Sequence, residues 1–140
     1  MEPIAVLVDT GPIYAGANED DAHHESCLAL LEELEGTLVV PMLVVAETTY
    51  LLATRLGPAA EIRFLGSLSA GELIVEPVRV PDWERVAELV WQYRDLPLGT
   101  VDASLVAAAE RLGIVTVVTL DRRHFSVVRP AHVTAFELLP

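Results

Sequence analysis

Four carboxylates stand where a carboxylate needs a reason. Asp9 closes the apolar run Ile4-Ala5-Val6-Leu7-Val8, and Asp121 closes a second such run, Val115 to Leu120. Glu47 is the only charged residue of the stretch from Met42 to Leu56 before Arg55, and Asp102 follows two residues after Thr100 at the start of TVDASLVAAAERLG. Singly, each has an ordinary explanation. Asp102 complements a helix dipole, and Glu47 reaches solvent from a helix end or meets Arg55 or Arg63. Gathered together, they repel one another and remain ionised only beside a divalent cation. Oxygen donors without thiolate or a histidine cluster select Mg²⁺ or Mn²⁺ over Zn²⁺. One or two such ions bridging to a phosphate can activate water and stabilise the leaving oxygen of an in-line displacement.

The elements decide whether the four acids can meet. Ile4 to Val8 and Val115 to Leu120 have no polar/apolar alternation, which suits central strands of a parallel sheet covered on both faces. Ligands bind at the carboxyl ends of such strands, where Asp9 and Asp121 would lie. Between them the sequence predicts a short helix over 13–18 after the turn Thr10-Gly11-Pro12. A second helix is introduced by Glu19-Asp20-Asp21, with Cys27, Leu28, Leu31 and Leu34 on its apolar stripe, and Gly36 stops it. Strands are expected over 37–40, 72–76 and 134–138. Helices are expected over 42–56, 58–67, from Pro81, and over 100–113, with a turn at Arg122 to Phe125. The 42–56 helix is apolar nearly all round and reads as buried. His23 and His24, being adjacent, do not share a helix face and read as helix-start residues. Trp83 and Trp91 could stack on bases but read as core aromatics.

Composition narrows the class. The chain has 140 residues, 52% of them hydrophobic, enough for one domain with a real core. Its apolar runs are too short for a membrane span or a signal peptide, so a cytoplasmic protein is expected. Cys27, the lone cysteine, allows neither an internal disulfide nor a thiolate metal cluster. The net charge of −12 opposes a strongly basic nucleic-acid footprint, but its distribution is uneven. There is no Lys, and all nine Arg fall at or after Arg55, whereas ten acids lie between Glu2 and Glu47. A local arginine-lined surface remains available for phosphate.

VDTGPIYA, the Glu of VVAE, TVDASLVAAAERLG and VTLDRRHF follow the order and approximate spacing of the PIN-domain ribonucleases, and the chain resembles them over nearly its whole length. Its size is similar to that of the VapC-type toxins of bacterial toxin–antitoxin pairs. The resemblance implies a single PIN-like domain over residues 1–140. Its α/β fold would have a central parallel sheet in order 3-2-1-4-5 flanked by helices. Asp9, Glu47, Asp102 and Asp121 would be the catalytic metal-binding acids, steadied by the hydroxyls of Thr10 and Thr119. The implied activity is that of an Mg²⁺- or Mn²⁺-dependent endoribonuclease, in which metal-activated water cleaves RNA to 5′-phosphate and 3′-hydroxyl ends. Arg122, Arg123 and Arg94 are candidates to hold the substrate backbone. The expected partners are a second copy of the chain and an antitoxin whose tail blocks the site. The acidity of this chain departs from the family pattern and weighs against tight, unaided RNA binding.

Competing classes fare less well. A haloacid dehalogenase-type phosphotransferase needs a second Asp two residues after the first, where Gly11 stands. A response-regulator receiver needs a Lys. The serious alternative is a catalytically silent PIN-like module that binds a protein partner. RNA and DNA present the same phosphate, and these residues do not discriminate between them.

Overall fold

The computed structural model describes residues 4–140. Five short strands form one parallel sheet: β1 (Ala5–Val8), β2 (Thr37–Pro41), β3 (Ile74–Glu76), β4 (Thr116–Val118) and β5 (Glu137–Leu139), in the order β3-β2-β1-β4-β5. Among the described residues seven helices flank it: α1 (Thr10–Ala17), α2 (His24–Glu33), α3 (Met42–Arg55), α4 (Pro58–Ser69), α5 (Val80–Gln92), α6 (Thr100–Leu112) and α7 (Arg122–Val127). The expected strand order and fold class are the observed ones.

The unalternating strands are central for the reason their composition suggests. Leu7, Val8, Val117 and Val118 have no measurable exposure, and β1 pairs with β4 through Leu7 with Val117 and Val8 with Val118. On its other side β1 pairs with β2, from Ala5 with Thr37 to Leu7 with Val39. Gly36 sets that register. Its φ is +112°, and a Cβ there would lie 2.0 Å from the Ile4 carbonyl oxygen, so only glycine brings the chain this close. The Thr37 amide then donates to the same carbonyl at 2.8 Å. The strand order reverses direction between β1 and β4, so their carboxyl ends open a crevice.

The element carrying Asp102 is anchored on both sides. Ala103 to Ala109 of α6 are all buried, the alanines allowing close approach, and Gly113 ends the helix in the left-handed region with φ +71°. Arg111 of α6 donates to Asp82 of α5 at 3.0 Å and to Glu76 of β3 at 2.8 Å, while Arg85 of α5 grips Glu110 of α6 in a two-pronged pair at 2.7 and 2.9 Å.

Several expectations need correction. The first helix begins at Thr10 itself, because Asp9 caps it. The segment expected as a turn at Arg122 is helix α7, capped by Asp121. The last strand lies at Glu137–Leu139, later than expected, and the third is confined to Ile74–Glu76. Helix α3 is not buried all round. Only the i, i+4, i+8 stripe of Val44, Thr48 and Leu52 is fully covered, and Met42 and Tyr50 face outward. Trp83 and Trp91 are also exposed, because Val86 and Leu89 form the face of α5 that packs inward. Cys27 is fully buried on α2, as expected of a small core residue. His24 stands at the start of α2 with Nδ1 2.9 Å from the Ala15 carbonyl, a helix-start role that joins α2 to α1.

Candidate active site

The carboxyl ends of β1 and β4 bring the first and last of the four acids to neighbouring positions. The Asp9 amide donates to the Val118 carbonyl at 2.9 Å, one residue before Thr119. Asp9 has extended backbone and caps α1, its Oδ1 accepting from the Thr10 amide at 2.8 Å. Its Oδ2 accepts from the Thr119 hydroxyl at 2.9 Å, and the Thr119 Oγ1 in turn accepts from the Asp121 amide at 2.9 Å. One buried hydroxyl therefore sets the spacing of both strand-end acids. Thr10 is also buried, and its Oγ1 accepts from Thr48 at 3.4 Å, locking α1 to the turn of α3 that carries Glu47.

Asp102 enters from the first turn of α6. His124, on α7, bridges it to Asp121. The His124 Nδ1 lies 3.1 Å from Asp102 Oδ2 and 2.9 Å from Asp121 Oδ2, while the His124 amide donates to Asp121 Oδ1 at 3.0 Å. One ligand atom from each of Asp102, Asp121 and His124 lies within 4.8 Å of the others. Glu47 is exposed on α3 and faces the same opening. The result is one open cavity of about 570 Å³, lined by Asp9, Glu47, Asp102 and Asp121, with Thr10, Tyr14 and Arg55 around them.

The electrostatics follow from that convergence. Burial pushes the Asp9 pKa up to about 6, the charges of Asp102 and Glu47 add to the rise, and the hydrogen bonds from Thr10 and Thr119 oppose it. Asp102 is also raised, first by burial and then by Asp121 and Glu47, with His124 pulling the other way. Among these carboxylates, Asp9 and Asp102 are those whose charged forms burial and neighbouring charge disfavour, an effect that a bound cation would offset. The donor set, carboxylate oxygens with one imidazole nitrogen, fits a divalent cation of the Mg²⁺ or Mn²⁺ kind.

All four acids expected from the sequence line this cavity, and of the two expected hydroxyls that of Thr119 donates to Asp9, whereas Thr10 reaches Asp9 through its backbone amide and its hydroxyl accepts from Thr48. The expected arginines are not among the residues that line this cavity. Arg94 stacks over Trp91 at 4.0 Å, in a separate cleft beside Thr100. Arg122 bonds to the carbonyls of Leu138 and Pro140, and Arg123 is exposed on α7. The arginine that lines the cavity is Arg55. His124 was not anticipated either. Its signal was present in LDRRHF, since an Asp that can cap a helix places the residue three positions later over its own carboxylate.

A family model described as the PIN domain matches residues 6–129. The chain belongs to the PIN-domain family. This PIN domain is 34% identical over 135 residues to Ribonuclease VapC26 of Mycobacterium tuberculosis, a match covering 96% of this chain and 100% of that one. Among solved structures it is similar to VapC20 of Mycobacterium tuberculosis, described as a sarcin-ricin loop cleaving toxin. The TM-score is 0.75 at 25% identity, over 80% of this chain and 86% of that one. VapBC2 from Rickettsia felis, bound to a DNA fragment from its promoter, shares the fold. There the TM-score is 0.70 at 16% identity, over 98% of this chain and 100% of that one.

Proposed function

We propose that this PIN domain is an Mg²⁺- or Mn²⁺-dependent endoribonuclease acting as the toxin of a toxin–antitoxin pair. The observation that carries the reading is the convergence of Asp9, Glu47, Asp102 and Asp121 on one cavity at the point where the strand order reverses. Kinship with a protein named as a ribonuclease along its entire length supports the choice of RNA. A cognate antitoxin and a homodimer belong to the same reading. They are supported by the uncovered apolar side chains of Met42 and Tyr50, and by an apolar cleft between α1, α2 and α4 that includes Leu28, Leu31 and Phe64.

Asp9, Asp102, Asp121 and Glu47 would hold the cation. When bound, it supplies a Lewis acid that lowers the pKa of water and steadies charge developing on the phosphate. The chain's own residues do the positioning. Thr119 fixes Asp9 and Asp121 at one spacing, Thr10 and Thr48 tie the Glu47 helix to the strand end, and His124 keeps Asp102 and Asp121 together. Hydrolysis there leaves 5′-phosphate and 3′-hydroxyl ends.

Asp9→Asn is the deciding variant. Purified wild-type protein with Mg²⁺ or Mn²⁺ should cleave RNA, and Asp9→Asn should abolish cleavage while remaining folded. Cleavage at the wild-type rate by Asp9→Asn refutes the assignment. The silent-module alternative predicts no cleavage by either protein and no Mn²⁺ affinity that depends on these carboxylates.

A further inference from the structure

Three of the nine arginines, Arg55, Arg63 and Arg123, form no side-chain hydrogen bond or ion pair among the described residues, and of these Arg55 lines the acid cavity whereas Arg123 is exposed on α7. Arg79, Arg85 and Arg111 are held by carboxylates, and Arg94, Arg122 and Arg129 donate to backbone carbonyls. Arg63 lines the apolar cleft on another side of the molecule. Arg55 lines the acid cavity and, among the described residues, forms no ion pair with any of its carboxylates. Its guanidinium lies instead over the ring of Tyr14, 5.4 Å from the centroid. Tyr14 is itself half-buried in α1, five residues after Asp9. Stacking on a ring leaves the edge of the guanidinium free to donate, and that edge matches phosphate. Arg55 also ends α3, two helical turns beyond Glu47, which corresponds to about 12 Å along the axis. A helix-end Arg complements the dipole wherever it points, so its placement over Tyr14 at the cavity wall calls for a further account.

We infer that Arg55, oriented by Tyr14, grips an RNA phosphate adjacent to the one cleaved, making Arg55 and Tyr14 substrate-binding residues of the acid cavity. This rests on the nuclease reading and deepens it. An acidic site needs such a contact. The four carboxylates repel the polyanion, and a cation fixed in the cavity wall offers the strand a phosphate contact beside them. A phosphate contact makes a prediction that a dipole contact does not. It releases a counterion on binding, so it appears in the salt dependence.

The experiment uses the full chain carrying Asp9→Asn, in Mg²⁺, with a fluorescein-labelled single-stranded oligoribonucleotide of mixed sequence, its anisotropy read over a range of salt concentrations. Adding Arg55→Gln should weaken binding about tenfold and flatten the slope of log K against log salt by about 0.7. Adding Arg55→Lys should restore the slope but not the full affinity, since the charge returns without the fork. Tyr14→Leu should weaken binding with the slope kept. In the otherwise wild-type enzyme, Arg55→Gln should raise KM with kcat little changed, with Mn²⁺ affinity and melting temperature held. Unchanged affinity and slope for Arg55→Gln, in a protein whose wild type cleaves RNA, overturn the Arg55 inference alone. Should Arg55→Gln fail to fold, Arg55→Lys with both affinity and slope at the parent values overturns it equally. No cleavage by the wild type in either metal overturns the nuclease reading, and the Arg55 inference with it.

Discussion

Thr119 and Asp9 make a pair whose energetics run in opposite directions with and without a cation. The Thr119 hydroxyl donates to Asp9 and accepts from the Asp121 amide, so it orients two acids through one oxygen. Thr119→Val keeps the shape and removes both bonds. Loss of a group that orients metal ligands typically costs about 10- to 100-fold in metal affinity, and a Mn²⁺ titration of Thr119→Val should show a loss in that range. Asp9 is the complementary case. Its folded pKa is raised to about 6 from 3.8, so the metal-free folded state binds the proton more tightly than the unfolded chain. Stability therefore falls as pH rises from about 4 through about 6, by up to about 3 kcal/mol from this group. Asp9→Asn removes the charge. In the presence of chelator its melting temperature should exceed the wild type's at pH 7 to 8, and the gap should close as pH approaches 4. A gap that is equally wide at both ends of that range would show that burial and neighbouring charge are not what Asp9 feels.

At the scale of elements, the site depends on holding α6 against its neighbours, because Asp102 moves with it. Burial alone would raise the Asp82 pKa, but its hydrogen bonds from Arg111 and the Arg79 amide hold the carboxyl below its usual value. A depressed folded pKa stabilises above the unfolded value and loses that contribution as pH falls through the folded one. Asp82→Asn should thus destabilise the chain by about 1–2 kcal/mol at neutral pH, Arg111 being partly solvated. Its urea midpoint should converge on the wild type's below pH 4. The elements that the sequence makes legible are those whose burial is complete. The unbroken apolar runs ending at Asp9 and Asp121 fix β1 and β4, and the alanine-rich 103–109 segment fixes α6. Less legible are the elements whose surface is shared. Apolar residues on α3 and α5 read as core, yet Met42, Tyr50, Trp83 and Trp91 stay outside, since periodicity records which side chains are apolar and not which of them find a partner. Helix α7 was hidden for a different reason. Six residues are too few for a periodic signal, and only the Asp121 cap marks its start.

At the scale of the whole molecule, charge is the property that most constrains how the site can work. The chain carries a net charge of −12 and no Lys, and six of its nine arginines pair with carboxylates or donate to backbone carbonyls within the fold. The four acids could be read from two strand ends, one helix start and one interruption of an apolar helix, whereas the arginine that accompanies them could not. Arg55, Arg94, Arg122 and Arg123 look alike in sequence, and what distinguishes Arg55 is that the fold sets it in the lining of the acid cavity. A general cationic surface is therefore absent from the described residues, and attraction for RNA has to be local. In a protein that binds through a basic patch, chelating divalent ions leaves affinity nearly intact and the salt slope is steep, since many phosphates are neutralised. On the proposed reading, the acids repel RNA until a cation neutralises them. Chelator should lower the wild-type protein's affinity for a cleavage-resistant phosphorothioate oligoribonucleotide at least tenfold, and the salt slope in Mg²⁺ should be shallow, about −1 to −2, consistent with two or three phosphate contacts. Anisotropy measured with and without chelator separates the two cases. Chelator-insensitive binding with a steep slope would place the RNA on a surface other than the acid cavity.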